Sequence, residues 1–152
     1  MKIETATIDD TEELLALQKA AFHKEAVFYN NFTITPLIET IGEYRDAFST
    51  FVVLKASDGS RIVGSVRANT VEHTCFITRL VVHPAFQRRG IGIRLMDEIE
   101  KRTGEEITRF ELFTGGKSTG NIALYEKCGY LIIRRTEGDG VPMVIMEKRR
   151  EG

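Results

Sequence analysis

The segment Gln87-Arg88-Arg89-Gly90-Ile91-Gly92 holds the residues of this chain that are best suited to bind an anion. Apolar and β-branched residues precede it up to Val82, and Pro84 has no amide with which to continue a strand. From Ile91 onward apolar residues recur at four-residue spacing, which predicts an amphipathic helix that ends at Gly104. The first amides of such a helix lack partners and carry the positive end of its dipole, and arginine adds charge-assisted hydrogen bonds. The spacing therefore predicts a strand, a tight loop and a helix whose N-terminus binds phosphate or a similar anion.

Ordinary tight turns and two other phosphate-binding motifs also place glycines after a strand. A dinucleotide-binding fingerprint expects a third glycine or alanine where this chain has Leu95, and it expects the motif in the first βα unit. Gly115-Gly116-Lys117-Ser118 is similar to the end of a P-loop, but Glu111 stands where that motif needs its first glycine. Arginines at a helix start oppose the helix dipole, so an anionic ligand explains them better than helix stability does.

A second informative stretch runs from Asn121 to Tyr130. Asn121 is suited to cap a short helix, and Gly129 is suited to end it. The pattern predicts a helix that leads into a strand at Tyr130. Tyr125 lies within this helix, either as a core aromatic with its hydroxyl bound to backbone or as a residue available for chemistry.

Together the two stretches resemble the GNAT superfamily of N-acetyltransferases. The strand, the Gln/Arg-x-x-Gly-x-Gly loop and the later Leu-Tyr-Glu-Lys-x-Gly-Tyr segment match that family's central and C-terminal motifs. The resemblance implies acetyl-CoA as cosubstrate and no metal. It places the pyrophosphate on residues 87–92 and the pantetheine arm along the backbone of Leu80, Val81 and Val82, much as an added strand would lie. It also implies that this strand and the one at 109–114 part to admit the arm.

The resemblance makes Tyr125 the catalytic proton donor to the leaving thiolate, because a tyrosine hydroxyl with a pKa of about 10 is protonated at neutral pH. Asn121 is implied as a further CoA ligand. Many family members have the asparagine one turn earlier, where this chain has Ser118, so which of the two contacts CoA stays open. A backbone amide near Val82 can stabilise the oxyanion.

The sequence does not single out a base for the acceptor amine. An ammonium with a pKa of about 10.4 leaves roughly one amine in a few thousand neutral at pH 7. Period-two alternation predicts that Phe76, Thr78 and Leu80 share one side of their strand, and none of them is a carboxylate. The open candidates are a water relay and four side chains: Glu72, His73, His83 and Glu111.

The pattern of apolar runs predicts an α/β (α+β) fold in one domain over residues 1–152. A mixed, mostly antiparallel central sheet of six to seven strands is expected to carry helices on both faces, as in the resembling acyl-CoA N-acyltransferase fold. A first helix is expected after Asp10 or Thr11 and a second at Pro36, with an aromatic-rich connector from Glu25 to Thr35 as our candidate for a substrate lid. The expected strands are 3–8, 51–55, 61–70, the run up to 82, 109–114, and a final hairpin of 130–135 and 141–148 around Gly138-Asp139-Gly140.

Composition excludes several classes of function. A net charge of −1 gives no electrostatic case for nucleic acid as a partner. No apolar run approaches the roughly 20 residues of a membrane span, and the N-terminus lacks a signal-peptide core, so a cytoplasmic protein is expected. Cys75 and Cys128 are too few for a metal site and are expected to be free, buried thiols.

Two functions of different class follow. The first is transfer of an acetyl group from acetyl-CoA to a primary amine of a small molecule or peptide by direct attack. The second is a noncatalytic acyl-CoA-binding sensor or regulatory module of the same fold. Glu25, Glu39 and Glu43 are candidates to attract a cationic amine. A small amine, an amino acid, an antibiotic and a protein N-terminus all remain open as acceptors, and the resemblance is compatible with a homodimer.

Overall fold

The computed structural model describes residues 1–138 and 140–150. Short 3₁₀ turns at Ile8–Asp10 and Pro84–Phe86 accompany the regular elements. In chain order these are β1 (Lys2–Thr5), α1 (Thr11–Tyr29), α2 (Thr35–Ile38), α3 (Ile41–Ala47), β2 (Val52–Asp58), β3 (Arg61–Val71), β4 (Thr74–Val82), α4 (Ile91–Lys101), β5 (Arg109–Gly115), α5 (Thr119–Lys127), β6 (Leu131–Gly138) and β7 (Val141–Arg149).

The seven strands of the described residues form one sheet in the order β1-β2-β3-β4-β5-β7-β6. Strands β4 and β5 pair in parallel, and the other neighbouring pairs are antiparallel. This confirms the predicted mixed, mostly antiparallel sheet. The parallel pair is joined through α4, as a parallel connection requires.

Helices cover the two faces of the sheet and bury two hydrophobic clusters. On one face α4 contributes Leu95, Met96 and Ile99, which pack against the inner side chains of the central strands. On the other face α1 lies across β3 and β4 and buries Leu14 and Leu17. The helices on both faces were predicted from the sequence and are confirmed.

Strands β4 and β5 pair over a short distance and then separate. Their ladder runs from Thr74↔Arg109 to Phe76↔Glu111, although β4 continues to Val82 and β5 to Gly115. Since β5 stays paired with β7 up to its end, the separation opens a gap beside the second half of β4.

A β-bulge in β4 lies beside this gap. Thr78 pairs with Arg67 and Val81 pairs with Ser65, so that two residues of β4 oppose one of β3, and Arg79 takes the left-handed conformation with φ 54°. The bulge turns Leu80 toward the α4 face, where it packs against the core. The prediction that Leu80 shares a side with Phe76 and Thr78 is therefore wrong, because simple alternation does not hold across a bulge.

Several element boundaries differ from the sequence prediction. Strand β1 ends at Thr5, and α4 ends at Lys101 rather than at Gly104. Helix α1 continues without a break to Tyr29, where the prediction had an irregular connector, and left-handed Asn30 with φ 51° ends it. The exposed aromatic residues at positions 28 and 32 therefore flank the end of a helix rather than lie in one loop.

The remaining predictions about the chain are confirmed in outline. Pro36 lies in the first turn of α2. Strands β6 and β7 form the final hairpin, although Asp139 at its turn lies outside the described residues. Both cysteines are free thiols, Cys75 buried and Cys128 half-buried. In the described part of the chain, none of the helices combines the length and apolar character that a membrane span requires.

Candidate active site

Residues 87–92, here called the anion loop, lead from β4 into α4. Gly90 precedes the helix with φ 78°, and Arg88 also has a positive φ of 65°. Among the described residues, nothing lies within 4 Å of the position that a Cβ on Gly90 would take, so its left-handed backbone rather than close packing favours glycine here. The intrahelical bonds begin with the amide of Arg94, which donates to the Gly90 carbonyl at 3.1 Å. The amides of residues 91–93 therefore remain for an anion.

Positive charge gathers around the anion loop from two parts of the chain. The guanidinium of Arg89 lies 4.9 Å from the centre of the Phe86 ring, and that of Arg61 lies 5.5 Å from the same ring. Arg61 Nη2 is also 2.7 Å from Nε2 of His83. Sequence reasoning missed Arg61, because only the pairing of β3 with β4 brings the start of β3 beside the loop.

The two glycines of the loop have different roles. Gly92 is buried, and a Cβ on it would lie 3.1 Å from Cδ1 of Leu124 and within 4 Å of Leu80 and Val82. Its lack of a side chain therefore lets α4 pack closely against α5 and β4. Its amide lies in the first turn of the helix, so a CoA contact through that amide stays a prediction.

The side chains of Leu80, Val81 and Val82, at the end of β4, point to both faces of the sheet. Val81 packs in the cluster under α1, whereas Leu80 and Val82 pack on the α4 side. Gln87 donates from Nε2 to the Val82 carbonyl at 3.4 Å, which ties the anion loop to the strand. The backbone of residues 80–82 borders the gap between β4 and β5.

Tyr125 lies on α5 and is 9% exposed. Its ring meets the ring of Tyr130 edge-on at 6.3 Å between centres. Burial raises the pKa of Tyr125 well above its ordinary value, and Cys128 and the negative charge of Glu25 raise it further. The hydroxyl is therefore protonated at neutral pH and can donate a proton.

Hydrogen bonds join the end of α1 to the start of α5. The Lys117 amide donates to Tyr29 Oη at 3.0 Å, and Ser118 Oγ donates to Glu25 Oε2 at 2.8 Å. Since the single hydroxyl hydrogen of Ser118 goes to the carboxylate, Tyr29 donates to Ser118 across their 2.8 Å contact. Asn121 Nδ2 lies 3.5 Å from Glu25 Oε1. We call Glu25, Tyr29, Ser118 and Asn121 the Glu25 cluster.

The structure around the Glu25 cluster changes one interpretation of the sequence and explains one glycine. Asn121 does not cap α5, because the helix begins at Thr119 and Ser118 holds the N-cap position. The glycine of the rejected P-loop has a packing role, since a Cβ on Gly115 would lie 2.6 Å from Ser118 Oγ and would overlap Tyr29 Oη. No pattern along the chain indicated the cluster, because α1 and α5 meet only in the folded chain.

An open cleft of about 520 Å³ lies on the α3 side of β3 and β4. Thr78 and Arg79 of β4 line it, next to the bulge. Under it Glu39 accepts from Arg67 Nη2 at 2.5 Å and from Gln18 Nε2 at 2.8 Å, while Arg79 Nε lies 3.7 Å away. Burial by itself raises the pKa of Glu39, but these hydrogen bonds and the two guanidinium charges outweigh it and hold the pKa below its ordinary value. The exposed rim of the cleft includes two further acids, Glu43 and Asp46.

The four side chains that the sequence left open as bases are dispersed. Glu72 and His73 lie in the turn between β3 and β4, at the far end of β4 from the anion loop. Glu111 accepts from Arg109 at 2.8 Å at the last rung of the β4–β5 ladder, and His83 contacts Arg61 and the Ala85 amide.

A family model and two proteins of Bacillus subtilis match parts of this chain. A family model described as "Acetyltransferase (GNAT) family" matches residues 11–130. The chain is 31% identical over 93 residues to a putative acetyltransferase of Bacillus subtilis, BSU40680, covering 57% of this chain and 58% of that protein. It is 27% identical over 118 residues to the B. subtilis UPF0157 protein YqkA, covering 78% of this chain and 34% of that longer protein. The chain thus spans about a third to three fifths of the length of these relatives.

A solved structure shares the whole fold. The PaiA N-acetyltransferase from Thermoplasma acidophilum, solved in complex with coenzyme A, superposes with a TM-score of 0.82 at 20% identity. The match covers 99% of this chain and 100% of that one. At this level of identity the likeness shows the fold.

Proposed function

Because the chain belongs to the GNAT acetyltransferase family, we propose that residues 1–152 form one domain that transfers the acetyl group of acetyl-CoA to a primary amine of a small molecule or peptide. One observation carries the proposal: the gap between β4 and β5 has the anion loop at the end of β4 and a buried tyrosine on α5, the helix that follows β5. The coenzyme A bound to the PaiA N-acetyltransferase supports the same ligand here.

The residues around the gap fit coenzyme A. The amides of residues 91–93 and the guanidiniums of Arg88 and Arg89 suit a diphosphate, because they combine directed donors with positive charge. The backbone of residues 80–82 suits a pantetheine arm with amide groups, since β5 has left that edge of β4. Asn121 remains a proposed CoA ligand, with its side-chain amide also facing Glu25.

Acetyl-CoA supplies a thioester with an electrophilic carbonyl carbon and a thiolate leaving group. Tyr125 gives its hydroxyl proton to the departing sulfur, and burial keeps that proton in place until the thiolate forms. A backbone amide near Val82 stabilises the oxyanion. No step in this scheme uses a metal.

The cleft beside α3 is the proposed entry for the acceptor amine. Thr78 and Arg79 line the cleft and precede Leu80 along β4, so a molecule bound there approaches the gap from the α1 side of the sheet. Its rim acids Glu43 and Asp46 favour a cationic acceptor.

Two measurements test the proposal. Titration calorimetry is expected to detect binding of acetyl-CoA to the full chain, and the absence of heat at millimolar ligand would refute it. Thiol release from acetyl-CoA is then followed with a panel of primary amines, and turnover with at least one of them is expected. Binding without turnover on any amine would instead indicate a noncatalytic acyl-CoA-binding module.

A further inference from the structure

Amide formation requires a group that takes a proton from the acceptor ammonium, and the chemistry assigned above does not supply one. Tyr125 is the donor to sulfur, so it cannot remove this proton at the same stage. Glu39 is engaged by two guanidiniums, and its pKa is held below the ordinary value, which makes it a poor proton acceptor. Arginine partners likewise occupy Glu111 and His83.

Glu25 lies on the face of α1 that is turned toward the sheet. Leu14 and Gln18 of this face are fully buried, and Gln18 reaches the ion pair under the cleft. Glu25 follows Gln18 by seven residues, which is two helical turns and a rise of roughly 10 Å along the axis. The end of α1 reaches the end of β5, where Tyr29 bonds Ser118, so Glu25 lies on the side of the gap reached from the cleft.

The Glu25 carboxylate is held in place from α5 and remains half-exposed. Ser118 and Asn121 each bond one of its oxygens, and Tyr29 supports Ser118 in turn. These groups are neutral, so no cation of the cluster neutralises the carboxylate. Asn121, which contacts Glu25, precedes Tyr125 by four residues on α5, so these two side chains share a face of that helix. The negative charge of Glu25 also raises the pKa of Tyr125. Tyr29 of α1, through Ser118, and Tyr125 of α5, through its raised pKa, are thus the ionisable groups that the described contacts and charges link to Glu25.

We propose that Glu25 takes the proton of the acceptor ammonium, an inference that rests on the acetyltransferase function proposed above. The bound ammonium gives one proton to the Glu25 carboxylate, which passes it to solvent. The neutral amine then forms the N–C bond to the carbonyl carbon, and Tyr125 protonates the sulfur as the C–S bond breaks with its electron pair on sulfur. The second proton on the nitrogen then returns through water to the Tyr125 oxygen. The net proton released for each acetyl group transferred is the one that Glu25 passed to solvent.

The test compares the wild-type chain with Glu25→Gln, because glutamine keeps the size and the hydrogen-bond acceptor but removes the basic oxygen. Glu12→Gln is the matched control, since Glu12 is an exposed glutamate at the other end of the same helix. The acceptors are ethylamine and its mono-, di- and trifluorinated derivatives, which stay similar in size while each fluorine lowers the amine pKa. Melting temperature and acetyl-CoA calorimetry are measured for each variant, so that a loss of fold or of cofactor binding is separated from a loss of proton transfer.

Glu25→Gln is expected to lower kcat/KM for ethylamine by about 10²-fold or more at pH 7. The ratio of wild-type to Glu25→Gln kcat/KM should fall with each fluorine and approach one for the trifluorinated amine. That amine is already neutral at pH 7 and needs no base. Glu12→Gln should match the wild type throughout. An equal deficit for all four amines, or none, would overturn the proton-acceptor role. If the wild type acetylates none of them or any other primary amine, the proposed function fails first and the inference with it.

Discussion

The buried ion pair between Glu39 and Arg67 predicts that a charge-removing substitution under the cleft is strongly destabilising. The Arg67 side chain is 4% exposed and the Glu39 side chain 10% exposed. Glu39→Gln leaves a hydrogen-bond acceptor of nearly the same shape, but it removes the negative charge that faces two guanidiniums. Arg67 Nε has no hydrogen-bond partner among the described residues, so the carboxylate is its main compensation.

The size of the effect follows from burial. Breaking a buried ion pair by removing one partner costs about 3 to 5 kcal/mol. The rings of Tyr44 and Phe51, at 4.7 Å and 5.5 Å from the Arg67 guanidinium, still stabilise that cation, so the lower end is expected. A loss of about 3 kcal/mol corresponds to a melting temperature lower by about 6 to 12 °C for a chain of this length.

The assay is urea unfolding followed by circular dichroism, with a thermal melt in parallel. Asp97→Asn is the matched control, because it breaks a pair of similar length, 2.8 Å to Lys101, whose side chains are 60% and 64% exposed. No measurable change is expected there. If Glu39→Gln and Asp97→Asn unfold with the same free energy, burial does not set the cost of a broken ion pair in this network.

The ion pair between Glu39 and Arg67 also predicts how the free energy of unfolding depends on pH. The pKa of Glu39 is lower in the folded chain than its ordinary value of 4.5, so the carboxylate stabilises the fold above that pH. The contribution is lost as the pH falls through the folded pKa. The difference in unfolding free energy between wild type and Glu39→Gln should therefore be constant near neutrality and shrink below about pH 4.5. A difference that stays constant into that acidic range would contradict the lowered pKa.

Three further predictions concern the site. Tyr125→Phe should lower kcat about 10²-fold and leave acetyl-CoA affinity, measured by calorimetry, unchanged; full turnover would remove its role as proton donor. Joint replacement of Arg88 and Arg89 by glutamine should weaken acetyl-CoA binding about tenfold or more, with a smaller loss at high salt, and equal affinity at all salt concentrations would argue against an anion contact. Gly115→Ala should destabilise the fold by about 1 to 3 kcal/mol in urea unfolding, because its Cβ overlaps the Tyr29 hydroxyl. Adding Tyr29→Leu should recover part of that loss. An unchanged free energy of unfolding for Gly115→Ala alone would show that the Tyr29 side chain moves aside without cost.

Prediction from sequence succeeded where the signal is local. Gly90 and the arginines beside it predict a helix N-terminus suited to an anion. In the structure the helix begins within one residue of the predicted position. Tyr125 was identified by its neighbours in the chain, and the structure places it on the predicted short helix. Prediction failed for Leu80, because the alternation rule cannot register the extra residue of a bulge.

The sequence by itself determined the types of the elements, the anion loop and the membership of a family, because periodicity, turn residues and short motifs act over a few neighbouring positions. Only the tertiary structure decided how distant segments meet. Arg61 joins the loop through the pairing of β3 with β4, and Glu25 reaches Ser118 although 93 positions separate them. Such contacts depend on strand register, on a bulge and on the angle at which a helix crosses the sheet, and no local pattern along the chain encodes these.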